Sequence, residues 1–141
     1  PQSISETIDF AIEHGLFIAA FNHITPFPGT PLYERMKSEG RLLYDAWWLD
    51  DRYRYNMIPF QPRNMSPDEL AKLCLDARRR FYSWSSIARR AMAPVNRRTL
   101  YLLRNHLIIN AMHHWDVEGR SGLPLGDESW TGKLIPALQR Q

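Results

Sequence analysis

The chain has 141 residues, 44% of them hydrophobic and 23% charged, which is enough for one modest core and excludes a disordered or fibrous polymer. No apolar run approaches the roughly 18–20 residues of a membrane span, and the N-terminus lacks the zones of a signal peptide, so a cytoplasmic location is expected. The net charge of +3 permits an anionic partner without demanding one, and the lone Cys74 excludes an internal disulfide and a cysteine-only metal site.

The opening Pro1, without a Met, reads as a piece of a longer protein. Ser3, Ile4, Ser5 and Glu6 have the capping-box pattern, in which serine and glutamate satisfy free amides at a helix start. Ile4, Ile8, Ala11 and Ile12 then recur at helical spacing, and Gly15 stands where a left-handed cap would close the helix. Residues 16–24, LFIAAFNHI, form an apolar run of strand length, which predicts a strand covered on both faces. Thr30 and Pro31 open a second helix and Gly40 ends it. That makes residues 25–30 a βα loop with two prolines and a glycine. Prolines lower the entropy lost on ordering a loop, and glycine admits a ligand or a second backbone. In parallel α/β folds ligands bind beyond the carboxyl ends of strands, where this loop lies. Asn22 and His23 sit at the strand's end. The competing reading is a rigid turn that only redirects the chain, with His23 structural.

Residues 41–65 mix aromatics, charges and prolines without a clear period, as in an ordered irregular excursion with a short strand near residues 55–58. Trp47, Trp48, Tyr53 and Tyr55 read as packing anchors, and Asp50 and Asp51 as turn caps. Ser66, Pro67, Asp68 and Glu69 form a second capping box, opening a long helix whose apolar stripe runs through Leu70, Leu73, Ala77, Phe81, Trp84, Ala88 and Ala91. Asn96 is placed to cap a third long helix with two neighbouring stripes, Leu100, Leu103, Leu107 and Ala111 beside Tyr101, Ile108, Met112 and Trp115. Two stripes imply burial on more than one side. Glycines after position 118 predict a loop or flexible tail over 119–141. A single αβ step cannot form a sheet, because a lone strand leaves its backbone unpaired. Its partners then lie in a second copy or elsewhere in a parent protein.

Arg78, Arg79, Arg89, Arg90, Arg97 and Arg98, with Arg80 and Arg104, concentrate positive charge on the long helices. Three readings compete: contact with RNA through arginine and interleaved aromatics, docking of a basic helix on an anionic membrane surface, and the solvated backs of amphipathic helices with Asp68, Glu69 and Asp76 as partners. With no named nucleic-acid motif, nucleic acid is the less expected partner. His106 and His113 are about 10 Å apart on a helix, too far to share an ion, and the adjacent His113 and His114 point apart, so no metal site is assigned. No catalytic residue is assigned either.

An apolar strand ending in TPFPGTPLYERMKSEGRLL, a Trp-containing segment, and then PFQPRNMSPDEL opening a long helix resemble the C-terminal part of cobalamin-binding radical S-adenosylmethionine (Fe-S oxidoreductase-like) proteins. The likeness covers roughly residues 1–90. It implies that residues 1–40 end a partial TIM-like barrel, and that residues 41–118 are a helical C-terminal extension of the kind catalogued as a domain of unknown function. The expected fold is mostly α, one αβ step followed by that extension. The three-cysteine loop that holds the [4Fe–4S] cluster in such proteins is missing here, as is the cobalamin-binding motif. The resemblance therefore implies a non-catalytic piece, in which the cluster, S-adenosylmethionine and cobalamin belong to upstream barrel and cobalamin domains of the same parent. The parent would be a radical S-adenosylmethionine enzyme performing methylation or related C–H chemistry on a small molecule or lipid, such as a tetrapyrrole-like substrate. Peripheral membrane contact is compatible with a lipid substrate. By position, Asn22, His23, Thr25, Pro26, Phe27, Pro28, Gly29 and Thr30 are the expected pocket wall. The alternative is a helical binding module for an anionic partner, RNA or a membrane surface.

Overall fold

A computed structural model describes residues 2–44 and 46–125. It is mostly α, with helices α1 (Gln2–Glu13), α2 (Pro31–Ser38), α3 (Pro67–Phe81), α4 (Trp84–Ala91) and α5 (Leu100–Gly119). Helix α1 lies against α3 and α4, and α5 packs on both of those. The excursion between α2 and α3 folds beside α2 and the start of α3. There Met36, Ile58 and Phe60 form a small core with Leu32, Leu42, Leu70 and Ala71. A second core joins Ala11, Phe81 and Tyr82 to Ala19, Phe21 and Val117. No helix among the described residues is long and apolar enough to cross a membrane.

Local chemistry sets the helix starts. Ser66 accepts from the Glu69 amide while the Glu69 carboxylate accepts from the Ser66 amide, with Pro67 at the first helical position, so the second capping box forms as expected. Thr30 caps α2 by accepting from the Tyr33 amide. The first capping box does not form. Helix α1 already includes Gln2 and Ser3, and the Ser3 carbonyl accepts from Thr7 Oγ1 instead.

The long helix expected from residue 67 to Pro94 is two helices. It breaks after Phe81, where Tyr82 leaves the helical register and Ser83 caps α4 by accepting from the Ser86 amide. The break resets the phase. Trp84 and Ala88 turn outward, and α4 buries Ser86, Ile87, Arg90 and Ala91. The third long helix starts at Leu100 with Thr99 as its cap, not Asn96. Asn96 is buried and donates to the carbonyls of Gly15 and Arg90, tying the end of α1 to the end of α4.

Residues 16–24 are extended, as their composition predicts, yet form no β-ladder among the described residues. Phe17, Ala19, Phe21 and His23 alternate toward the helices, and Leu16, Ile18, Ala20, Asn22 and Ile24 face outward. Side chains hold the segment in place of a neighbouring strand. Tyr82 Oη donates to the Ala19 carbonyl at 3.0 Å and accepts from its amide at 3.4 Å, and Arg90 Nη1 donates to the carbonyls of Leu16 and Phe17. The strand expected near residues 55–58 reduces to isolated bridges, Leu42 with Phe60 and Arg54 with Pro124. Gly119 still belongs to α5, the second bridge brings residues 120–125 back onto the excursion as a turn, and the remainder of the predicted tail lies outside the described residues.

Helix α5 inverts its expected packing. Its inward face carries His106 and Asn110, both fully buried, while Leu100 is 82% exposed and Trp115 is 70% exposed. Both predicted apolar stripes therefore face largely outward, and polar side chains make the contact. The reason is Arg90.

Candidate functional site

Arg90 is wholly buried and satisfied by fixed neutral groups. Nε donates to Ser86 Oγ, Nη1 to the Leu16 and Phe17 carbonyls, and Nη2 to the Phe81 carbonyl and Asn110 Oδ1, both at 2.9 Å. Its guanidinium stacks on the Phe81 ring with the carbon 3.7 Å from the centroid. Burial pulls its pKa down to about 10, which leaves it charged at neutral pH. As a surface contact for an anionic partner it is unavailable, contrary to the expectation from sequence. Asn110 extends the network to the Phe17 carbonyl at 3.0 Å, and His106 Nε2 meets the Ile87 carbonyl. The network fixes the extended segment's inner edge, and so fixes what its far end presents.

That far end opens onto a cleft with two lobes. One lobe, about 310 Å³, lies between Ala19, Ala20 and Asn22 of the extended segment, Arg78 and Tyr82 on and just after α3, and His113, Asp116 and Val117 of α5. The other, about 220 Å³, is lined by Asn22, His23, Thr25, Phe27, Trp47, Tyr53 and Tyr55, with Asn56, Cys74 and Arg78. Asn22, Tyr55 and Arg78 belong to both lobes. The first lobe is at the lower end of the range for small-molecule sites, and aromatic rings are concentrated in the second, as Phe27, Trp47, Tyr53 and Tyr55.

Of the eight residues expected as a pocket wall, Asn22, His23, Thr25 and Phe27 line this cleft. The other four shape the loop. Pro26 is buried and its carbonyl accepts from Trp47 Nε1 at 3.2 Å, while Gly29 takes the left-handed φ of 81° that its turn requires. Pro28 is exposed, and Thr30 is committed to capping, its hydroxyl also donating to the Phe27 carbonyl.

The cationic candidates are not gathered into one face. Arg78 is in the cleft. Arg79 pairs with Asp76 at 3.1 Å and Glu118 at 2.8 Å, and Arg89 borders a shallow depression with Asp9, Glu13 and Arg80. Arg97 and Arg98 are exposed between α4 and α5. The histidines have separate structural duties. His113 stacks on Tyr82 with centroids 4.8 Å apart, and His114 Nδ1 donates to the Tyr82 carbonyl at 2.8 Å. Among the described residues no three His, Cys, Asp or Glu side chains are placed to hold one ion.

Sequence reasoning missed the contribution of the excursion. Trp47 packs on Tyr53, Trp48 and Phe27 with centroids 5.1, 5.6 and 5.9 Å away, which seats Tyr53 and Tyr55 against the loop. Burial pushes the Tyr53 hydroxyl up to about 12, and it donates to the Met57 carbonyl. Asn56 has φ of 73°, alone among non-glycine described residues in being left-handed, and its side chain accepts from Arg78 Nη2 and donates to Ser121 Oγ. His23 Nε2 is buried without a hydrogen-bond partner, and burial first, then the Arg78 charge, hold its pKa below the ordinary value. Burial raises the Cys74 thiol, so it is not an activated nucleophile.

Over 96 residues, 67% of its length, the chain is 31% identical to the bacteriochlorophyllide d C-12(1)-methyltransferase of Chlorobaculum tepidum. The likeness spans only 20% of that relative's length. No protein-family profile and no solved structure matches the chain.

Proposed function

We propose that this chain is the substrate-side portion of a cobalamin-dependent radical S-adenosylmethionine methyltransferase acting on a tetrapyrrole-like molecule, with the cleft beyond residues 16–24 as part of the substrate wall. The observation that carries the reading is the joint one. Asn22, His23, Thr25 and Phe27, four of the residues singled out by the resemblance, line a cleft with aromatic side chains, and the chain is similar to an enzyme whose name is that of a bacteriochlorophyllide methyltransferase. Phe27 and Tyr55, both more than a third exposed, offer ring surface suited to a flat conjugated ligand.

The residues present do not fit the iron–sulfur cluster such chemistry uses. Cys74 is the chain's one cysteine, it sits on α3, and its thiol is held protonated. Cluster, S-adenosylmethionine and cobalamin are therefore assigned to the rest of the parent, and this chain's part is to bind and orient. Upstream barrel and cobalamin domains are its proposed partners, and the backbone edge of residues 16–24 away from Tyr82 and Arg90 is where a neighbouring strand would pair.

The test uses the parent protein, reconstituted anaerobically. Iron, sulfide and cobalamin content and S-adenosylmethionine cleavage are compared between the intact chain and one truncated after Gly40. The reading expects cluster and cofactor in the intact protein, with substrate turnover lost on truncation. A parent with neither cluster nor cobalamin would leave the alternative, a helical module for an anionic partner.

A further inference from the structure

Arg78 is a half-buried cation with only neutral partners. Nε donates to the Cys74 carbonyl at 3.3 Å and Nη2 to Asn56 Oδ1 at 2.9 Å, while Nη1 makes no hydrogen bond among the described residues. No carboxylate among the described residues pairs with it. Asp116 borders the same lobe, but its carboxylate is held by Arg120 at 2.8 Å. A cation removed from water without a counter-ion is costly, and this one stands where both lobes meet. A second observation points to the same place. His23 Nε2 is buried with no hydrogen-bond partner among the described residues, and His23 lines the lobe that Arg78 closes.

We propose that Arg78 anchors the carboxylate of a planar aromatic monoacid in this cleft, with the Tyr55 ring, which borders both lobes, beside the conjugated plane. The planar guanidinium fork matches a carboxylate, and Asn56, held in its left-handed turn and tied to Ser121, fixes the fork's orientation. Arg120 also borders the first lobe but is paired with Asp116, which leaves Arg78 as the one arginine there without a carboxylate partner among the described residues. That suits a monoanion better than a phosphate dianion, which calls for several cations. The inference rests on the substrate-side reading of the cleft and narrows it to ligands with a free acid.

The 141-residue chain is titrated, by fluorescence, with two acids and their methyl esters: pyrenebutyrate, and a free-base chlorin monocarboxylic acid. The expected result is that each acid binds about ten- to a hundredfold more tightly than its ester, the range for a charge-assisted contact. Arg78→Gln should abolish that preference, acid and ester then binding alike, and Arg78→Lys should keep part of it. Because the acid–ester comparison is made on the unaltered chain, it stands even if a variant folds poorly. Equal binding of acid and ester, an acid preference that survives Arg78→Gln, or no saturable binding of either acid overturns the proposal. Chlorin binding that ignores the carboxylate but is lost in Tyr55→Ala overturns the anchor and leaves the substrate-wall reading intact. Arg78-dependent binding of pyrenebutyrate without chlorin binding supports the anchor and sinks the tetrapyrrole reading.

Discussion

Arg90 decides more of this structure than any apolar residue. Five donated hydrogen bonds and a stacked Phe81 ring replace the water it lost, and three of its acceptors are backbone carbonyls, those of Leu16 and Phe81 having no other donor among the described residues. Arg90→Ala should therefore cost about 3–5 kcal/mol, the loss typical of breaking a buried charged network, and Arg90→Lys a large part of it because one amine cannot reach all the acceptors. Urea denaturation followed by circular dichroism reads this directly, and a cost under about 1 kcal/mol would contradict it. The two inward histidines predict a pH effect. Burial holds His23 and His106 below their ordinary pKa of 6.5, so the unfolded chain takes up protons first as pH falls. Stability should be full above about pH 6.5 and decline as pH drops from there toward the lowered native values. Asp50, held at about 2 by its Arg52 partner, contributes only in stronger acid. A urea midpoint that stays level between pH 7 and pH 5 would refute the assignment.

At the scale of elements, capping and one close approach carry the clearest consequences. Ser66→Ala removes the acceptor for the Glu69 amide and should destabilise α3 by about 1 kcal/mol, measurable as a lowered urea midpoint with unchanged slope. Gly15 has φ of 63°, and a Cβ added there would stand 2.5 Å from the Ala93 Cβ. Gly15→Ala should cost more than the roughly 1–2 kcal/mol of the left-handed conformation alone, since α1 must also shift from the turn after α4. These features were legible from sequence because they are local: Ser66 to Glu69, Thr30 to Pro31, and glycine after a helical stripe. The α3–α4 break was not, because Leu70 to Ala91 keep helical spacing straight through Ser83. The face of α5 was not legible either. Hydropathy favours Leu107 and Ile108 as core, but the requirement to satisfy Arg90 and the Phe17 carbonyl turns Asn110 inward, and His106 turns inward beside it. The cleft was half legible, through Asn22, His23, Thr25 and Phe27 at a strand end. Tyr55, Asn56 and Arg78 reach it only through the tertiary path of an aperiodic excursion.

For the molecule as a whole, two outward apolar surfaces among the described residues are the outer side of residues 16–24 and the outer stripe of α5. Ile24 is 70% exposed and Met112 is 62% exposed. Apolar surface on that scale is ordinarily covered by another surface. In the proposed reading the parent supplies the cover along the extended segment, which places the Asn22, His23 and Tyr55 cleft at the boundary between this chain and the reactive centre. The account then separates two activities that one protein would carry: cleavage of S-adenosylmethionine, which belongs to the rest of the parent, and delivery of substrate, which belongs here. The decisive measurement is made on the reconstituted parent carrying Tyr55→Ala and Arg78→Gln together, with S-adenosylmethionine cleavage and methyl transfer followed in the same reaction. The account predicts cleavage within about twofold of the unaltered protein and methyl transfer reduced by about a hundredfold, as expected when positioning alone is lost. Methyl transfer that survives at full rate, or cleavage lost along with it, would contradict a substrate-side role for this cleft.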